Sequence, residues 1–406
     1  MKIALALSGG GFRATVFHLG VLARLAEEER LEDVNFLSTV SGGSLCVGLV
    51  HALNGFRWPT SSEYTAQVLP EARRLLTTKD LQRAVIIRQL TMFWNIFETR
   101  ADDLSAMMQK HWDITARLSD LPKQPRWMIN ATCYETGKNW RFERFRMGDY
   151  VFGYSDNPDI PLADAMAASA GFPGLIGPLV LDTKRYQWSN FVDAPQETDP
   201  LTQPEALPSR VRQSVEPAYS PVHLWDGGVY DNYGLEGLLD VRTGWRKNVE
   251  FLIVSDGAGR SKPEEYRRGV RALLRIATGI MMDQVRSLRS RVVLERLLNH
   301  FEEDKGSFLQ MGNTCSFVLS EAGRQDEIAQ LCPGCLSEQE VELAAEFPTN
   351  IKRLSDDEFE RLFRHGFEVA NYTLYAYHPL EFKHKAYRAP WEVAAAVGST
   401  PAESGT

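Results

Sequence analysis

The chain opens on a short apolar run, residues 3–7, that stops at Ser8 and three consecutive glycines. An apolar run this short, bounded by turn residues, predicts a buried β-strand. Over residues 12–30 the period changes to helical. Val16, Leu19, Ala23 and Ala26 share one stripe, and Glu27, Glu28 and Glu29 gather at its end. Residues 33–40 form a second apolar run, Ser41-Gly42-Gly43 turns the chain, and Leu45, Val47, Leu49 and Val50 begin a second, apolar helix. Strand, helix, strand and helix joined by short turns predict a parallel sheet wrapped by helices.

Residues 60–120 read as amphipathic helices, with Val85, Ile86, Leu90, Phe93, Trp94 and Phe97 on one face. A stripe of this kind is first a core face; contact with a bilayer or an acyl chain is its functional alternative. Further strands are predicted at 126–132, 140–144, 222–225 and 250–255. Residues 182–221, polar and proline-rich, read as a long surface insertion. An arginine-rich helix is predicted over 264–300, inside a helical region 261–345. Ser355-Asp356-Asp357-Glu358 is a capping box that opens a last helix. No linker divides the chain, so one domain is expected over 1–380, with a tail at 381–406 that ends in disordered composition.

With 44% hydrophobic and 24% charged residues, the 406-residue chain is an ordinary globular protein with ample core. Its net charge of −8 argues against nucleic acid as a partner. No run approaches the roughly 18 apolar residues of a membrane span. The opening run is too short for a signal peptide, so a cytoplasmic location is expected. Five scattered cysteines make no disulfide framework. Cys332-Pro333-Gly334-Cys335 is a lone CxxC with Cys315 nearby and no fourth ligand at zinc spacing. A solvated loop is the expected state there, with structural zinc or redox chemistry as the alternative. No cofactor is expected.

Ser8-Gly9-Gly10-Gly11-Phe12-Arg13 lies between a strand and a helix. Its glycines let backbone approach a ligand closely, and the helix start offers free N–H groups. Such a loop suits a phosphate or the transient oxyanion of acyl transfer. Gly9 to Ala14 also fits the dinucleotide pattern G-x-G-x-x-A, which needs an acid at the far end of the second strand. Glu32 and Asp33 precede that strand, and its far end is Val40-Ser41.

Thr39-Val40-Ser41-Gly42-Gly43 has the form of a nucleophile elbow, with Thr39 where G-x-S-x-G has its first glycine; a helix N-cap serine is the other reading. Both motifs end adjacent strands at the carboxyl edge of one parallel sheet, where α/β folds place ligands. A serine nucleophile needs a proton acceptor. His18 and His51 lie inside the first two helices. His300, His365, His378 and His384 read as surface or packing residues. Asp226, in Trp225-Asp226-Gly227-Gly228, and Asp256, in Ser255-Asp256-Gly257, both close strand candidates, and spacing does not choose between them.

Taken together, the sequence resembles the patatin-like phospholipases. Gly9-Gly10-Gly11-Phe12-Arg13 is similar to the family's DGGGxR oxyanion motif with Ser8 in first position. Ser41, with Gly42 and Gly43, matches the elbow serine, and Asp226-Gly227-Gly228 matches the motif that carries the base. Ala168-Ser169-Ala170-Gly171-Phe172-Pro173, Val229-Tyr230-Asp231-Asn232 and Pro348-Thr349 match in style. The resemblance implies a three-layer αβα patatin-like fold with a mostly parallel central sheet and additional helices. It also implies a Ser41–Asp226 dyad without histidine, and an oxyanion site formed by Gly9, Gly10 and Gly11 with Arg13. The implied activity is that of a serine lipid acyl hydrolase of phospholipase A type, acting on membrane phospholipid through an acyl-enzyme, with peripheral membrane contact. Some bacterial relatives are membrane-degrading effectors switched on by cyclic nucleotides, which extends the expectation to a regulated enzyme. Two alternatives stand beside it: an inactive patatin-fold interaction protein and a dinucleotide-binding protein.

Overall fold

Strict alternation in the first strand builds the layers. In the computed structural model, which describes residues 1–91, 99–193, 210–240, 243–246, 249–259, 263–300 and 302–391, Ile3, Leu5 and Leu7 enter one apolar cluster. Ala4 and Ala6 enter a second, with Leu235, Leu239 and Val293. A strand buried on both faces has helices on both sides, the condition for a parallel α/β sheet.

In chain order the strands are β1 (Ile3–Leu7), β2 (Val34–Val40), β3 (Arg126–Cys133), β4 (Lys138–Glu143), β5 (Arg146–Asp149), β6 (Gly153–Asp156) and β7 (Leu179–Leu181). They continue with β8 (Trp188–Asp193), β9 (Arg210–Val215), β10 (Val222–Asp226), a separate small pair β11 (Leu239–Asp240) and β12 (Gly244–Trp245), β13 (Phe251–Asp256) and β14 (Gly306–Gln310). The main sheet runs β14-β13-β1-β2-β3 in parallel, then β4-β5-β6-β8-β9 antiparallel. β10 comes back antiparallel against the end of β3, placing Asp226 opposite Ala131. The result is a mixed sheet, parallel through its centre and flanked by helices, in three layers.

Three elements differ from expectation. The first helix, α1 (Gly11–Ala26), stops four residues short of the predicted end and has no solvated face: every residue in it is buried, including His18 and Arg24. Burial of Arg24 is possible because Asn371 Oδ1 accepts from its Nε at 2.7 Å and Lys383 O accepts from Nη2. Residues 182–221 contribute β8 and β9 to the sheet edge. The region 261–345 holds β14 as well as helices, because Gly306–Gln310 is too short a run to show its period. Phe93, Trp94 and Phe97 of the apolar face at 85–97 lie outside the described residues, as do residues 397–406. Val85 is buried, whereas Ile86 and Ile87 are about half exposed.

α1 is clamped from behind by the long helix Asp356–Tyr377, which opens on the predicted capping box at Ser355 and Glu358. The two helices cross at glycines. A Cβ on Gly20 would sit 2.0 Å from Phe363 O, and one on Gly366 would sit 1.9 Å from Phe17 O. Gly366→Ala is therefore expected to lower unfolding stability by about 1–3 kcal/mol, read as a lower urea midpoint at unchanged slope. An unaltered midpoint would show that this crossing does not constrain α1.

Candidate active site

Ser41 stands between β2 and α2 (Gly42–Leu53) with φ 48° and ψ −114°. A non-glycine residue at positive φ carries strain of about 1–3 kcal/mol and is held there by its surroundings. Here the holding is explicit. Ser41 N–H donates to Ser169 Oγ at 2.9 Å, Ser169 Oγ is 2.8 Å from Ser44 Oγ, and Ser44 Oγ is 2.8 Å from Thr39 Oγ1. Trp127 Nε1–H closes the chain by donating to Thr39 Oγ1 at 2.8 Å. The residue that departs from the elbow pattern, Thr39, is thus a working member of a buried hydroxyl chain. Ser169, at the end of the Leu162–Ser169 helix, also accepts Gly227 N–H on its carbonyl at 3.2 Å. One residue therefore braces the turns carrying both Ser41 and Asp226. Its stretch was legible as a family likeness, but its role depends on contacts 58 and 128 positions away in the chain.

The glycine loop packs directly on this turn. A Cβ on Gly42 would lie 2.4 Å from Gly11 O, and one on Gly9 would lie 2.9 Å from Ser41 Cβ. Thr15 Oγ1 donates to Gly42 O at 2.9 Å. Gly10 and Gly11 have φ 145° and 60°, and their N–H groups find no acceptor among the described residues. Gly9 differs from the expectation for the loop: its N–H is donated to Asn232, whose O and Oδ1 are each at 3.2 Å. Ser8, in place of the family's aspartate, accepts Gly257 N–H on its hydroxyl at 2.8 Å.

Arg13 is 5% exposed and contributes to the lining of the cavity over Ser41, while its guanidinium is taken up by protein acceptors. It donates to Gly257 O at 3.2 Å, to Phe347 O and to Thr349 Oγ1 at 3.0 Å. Burial and the nearby Arg286 lower its pKa to about 10, which leaves it charged near neutrality. Its geometry is that of a brace tying the glycine loop to the segment before the last helix.

The two candidate aspartates separate clearly. Asp256 is paired with Arg286 at 3.3 Å and accepts from Tyr233 Oη at 3.1 Å, so its charge is already committed. Asp226 is 2% exposed, with no cation beside it among the described residues. Its Oδ1 accepts Gly228 N–H at 2.7 Å, while Oδ2 is buried without a hydrogen-bond partner of regular geometry. Burial raises its pKa to about 7, against the opposing pull of Gly228 N–H and of the Ser41 hydroxyl, which lies near enough to favour the ionised form. The histidines are engaged elsewhere. His18 bridges Ser255 Oγ at 2.9 Å and Ser8 O at 3.0 Å, His51 stacks on Trp127, His365 Nε2 receives Gly312 N–H and His378 Nε2 lies against Gly306 O. The strand end at which a dinucleotide fold would place its ribose-binding acid is occupied by Ser41.

A cavity of about 190 Å³ opens over Ser41, Asp226, Gly9 and Gly10. Its far wall is Thr278, Met282, Asp283 and Arg286, from a helical stretch that runs unbroken over residues 270–299.

Comparison with solved structures finds human GIVD cytosolic phospholipase A2 at 13% identity and a TM-score of 0.51, covering 91% of this chain and 60% of that one. The same human protein in complex with methyl gamma-linolenyl fluorophosphonate aligns at 12% identity and a TM-score of 0.48, over 91% of this chain and 56% of that one. At such identity the likeness is one of fold, and this chain spans about 60% of the length of the first structure. No match was found among curated proteins. Residues 5–239, more than half the chain and the part that carries Ser41 and Asp226, match the patatin-like phospholipase family, and the chain belongs to that family.

Proposed function

We propose that the protein is a serine lipid acyl hydrolase of phospholipase A type, with Ser41 as nucleophile and Asp226 as base. The observation that carries this reading is the strained Ser41 turn beside a buried carboxylate and two N–H groups which, among the described residues, have no cation and no acceptor respectively. Ser41 Oγ attacks the acyl carbonyl carbon while its proton passes to Asp226. The N–H groups of Gly10 and Gly11 hold the tetrahedral oxyanion. Collapse expels the alcohol, which takes the proton back from Asp226, and leaves the acyl group on Ser41. Water then attacks the ester, giving its proton to the same carboxylate, and the fatty acid departs as Ser41 regains its proton. A carboxyl raised to about 7 is a far better base for this work than one at the ordinary value near 3.9.

The lipid surface is met by the 270–299 helix. Leu273, Ile280 and Met281 are exposed there, and only Val293 in its last eighteen residues is buried. The arginines of this stretch divide by role. Arg286, Arg289 and Arg296 pair with Asp256, Asp231 and Asp304 and hold the helix to the sheet. Arg271 and Arg291, with Arg268 just before the helix, form no ion pair among the described residues, and they suit anionic headgroups. Exposed apolar groups and cations on the helix that walls the Ser41 cavity suit delivery of lipid directly to the nucleophile. Among the described residues no helix is long and apolar enough to cross a membrane, so contact is peripheral in this reading. A regulated membrane-degrading role would appear as vesicle hydrolysis that depends on an added cyclic nucleotide.

Ser41→Ala and Asp226→Ala are each expected to lower release of fatty acid from phospholipid vesicles by at least about a thousandfold with the fold intact. Wild type, but not Ser41→Ala, is expected to be labelled by a fluorophosphonate probe. Absence of both labelling and hydrolysis in folded wild type would point instead to a patatin-fold binding protein. Leu273→Ser combined with Ile280→Ser is expected to reduce vesicle hydrolysis by roughly tenfold while leaving a soluble chromogenic ester unaffected. Equal losses on both substrates would remove the membrane role of this helix.

The base also makes two pH predictions. For a base that must be ionised, kcat/KM rises with pH below about 7 and levels off above it. A carboxyl whose pKa is raised by folding contributes stability at low pH that is lost as pH climbs from the unfolded value through about 7. Asp226→Asn removes that loss, so thermal unfolding at pH 8 is expected to show a gain of up to about 4 kcal/mol that shrinks toward pH 4. A gain that does not vary with pH would mean that Asp226 is not the titrating group.

A further inference from the structure

Three cysteines stand outside the catalytic geometry, and none of them lines the Ser41 cavity. Cys315 is the first residue of the Cys315–Glu321 helix and is buried. Cys332 and Cys335 bracket a tight turn in which Gly334 has φ 88° and Cys335 N–H donates to Cys332 O at 3.0 Å. This turn is not a solvated loop, since Cys315, Val318, Leu319 and Tyr372 pack beneath it. The sulfurs of Cys315 and Cys335 and one carboxylate oxygen of Glu368 lie within 4.8 Å of one another. Glu368 belongs to the Asp356–Tyr377 helix and is 4% exposed. Its Oε2 is 3.7 Å from Cys315 Sγ and accepts Leu336 N–H at 3.0 Å, while Oε1 is held by Arg364 Nε at 2.7 Å. Cys332 interacts with both Cys335 and Tyr372.

We propose that Cys315, Cys332, Cys335 and Glu368 form a structural zinc site. The sequence supplied the CxxC and Cys315 but no fourth ligand at zinc spacing; the missing donor, Glu368, arrives on a helix 33 positions beyond Cys335. Three sulfurs and one carboxylate are the soft, four-donor set that closes a tetrahedral Zn²⁺ site without leaving room for substrate. Tetrahedral ligands at Zn–S lengths of about 2.3 Å stand roughly 3.8 Å apart, which the Cys315, Cys335 and Glu368 donors need only a small contraction to reach, while Cys332, outside that 4.8 Å group, closes on them from the turn. Zn²⁺ with three thiolates and one carboxylate carries two excess negative charges, and Arg364, on Glu368 and on Gly334 O, offsets one of them. Leu336 N–H and Arg364 are the outer partners that fix the orientation of a ligating carboxylate. Metal entry displaces the protons carried by the thiols, so no oxidant is required. The site fastens the 315–321 helix and the 332–335 turn to the helix that clamps α1.

The test is metal analysis of the full chain, purified under reducing conditions, exposed to ZnCl₂ and desalted. About one zinc per chain is expected, retained in Cys133→Ser and lost in Cys315→Ser, Cys335→Ser and Glu368→Gln. A chelator should release it and lower the melting temperature of wild type but not of the cysteine variants. Because a cysteine variant can misfold, Cd²⁺ binding to wild type supplies a second measurement through thiolate-to-metal absorption in the ultraviolet. Three counted thiolates would support the site. Reduced wild type that takes up no zinc, zinc retained by the Cys315→Ser/Cys335→Ser double variant, or a Cys332–Cys335 disulfide in place of metal would each overturn it.

Discussion

Backbone touches backbone where the glycine loop meets the Ser41 turn, and the rest of the site is arranged around that contact. Gly42 lies against Gly11 O, Gly43 against Leu7 O and Gly9 against Ser41 Cβ, with no space at any of the three for a side chain. Two strand ends can come this close only because β1 and β2 are parallel neighbours whose carboxyl ends finish together. The proposed nucleophile and its proposed anion cradle are therefore consequences of one strand pairing. Asp226, the proposed base, reaches them by a different route, through β10 running back against the end of β3.

How much of this was legible in the sequence follows from the range of the interactions involved. The β1 and β2 runs, α2, Ser41 and the capping box at Ser355 are written in local periods and turn residues, and they stand where those patterns place them. The choice between Asp226 and Asp256 was not local. It depends on Arg286 and Tyr233, which arrive from distant segments to claim Asp256 and leave Asp226 without a cation. Arg13 presents the same difficulty: the motif marks it, but only contacts with Gly257, Phe347 and Thr349 give it a bracing geometry. The strand β14 escaped because five residues beside a long helix carry too little period, and Glu368 escaped as a ligand because it looks like any helical acid.

The same burial shapes the chemistry. Desolvation lifts Asp226 into the range of a useful base and holds His18 and His51 neutral, each lowered to about 4. In the proposed mechanism an aspartate serves as base without any imidazole, because one carboxylate is buried with no cation beside it among the described residues while Asp256 is given both Arg286 and a tyrosine hydroxyl. The two acids differ in company far more than in depth.

The hydroxyl chain behind Ser41 makes the substitutions this site tolerates depend on their order. Thr39 stands where an elbow ordinarily has glycine, and its hydroxyl links the Trp127 indole to Ser44, which in turn meets Ser169. Glycine at 39 would strand a buried indole N–H and remove the hydroxyl that Ser44 meets, although glycine is what the elbow pattern has there. Glycine at 39 is therefore open to this chain only once the indole at 127 has been replaced, whereas the indole can be replaced while Thr39 keeps Ser44 as its partner.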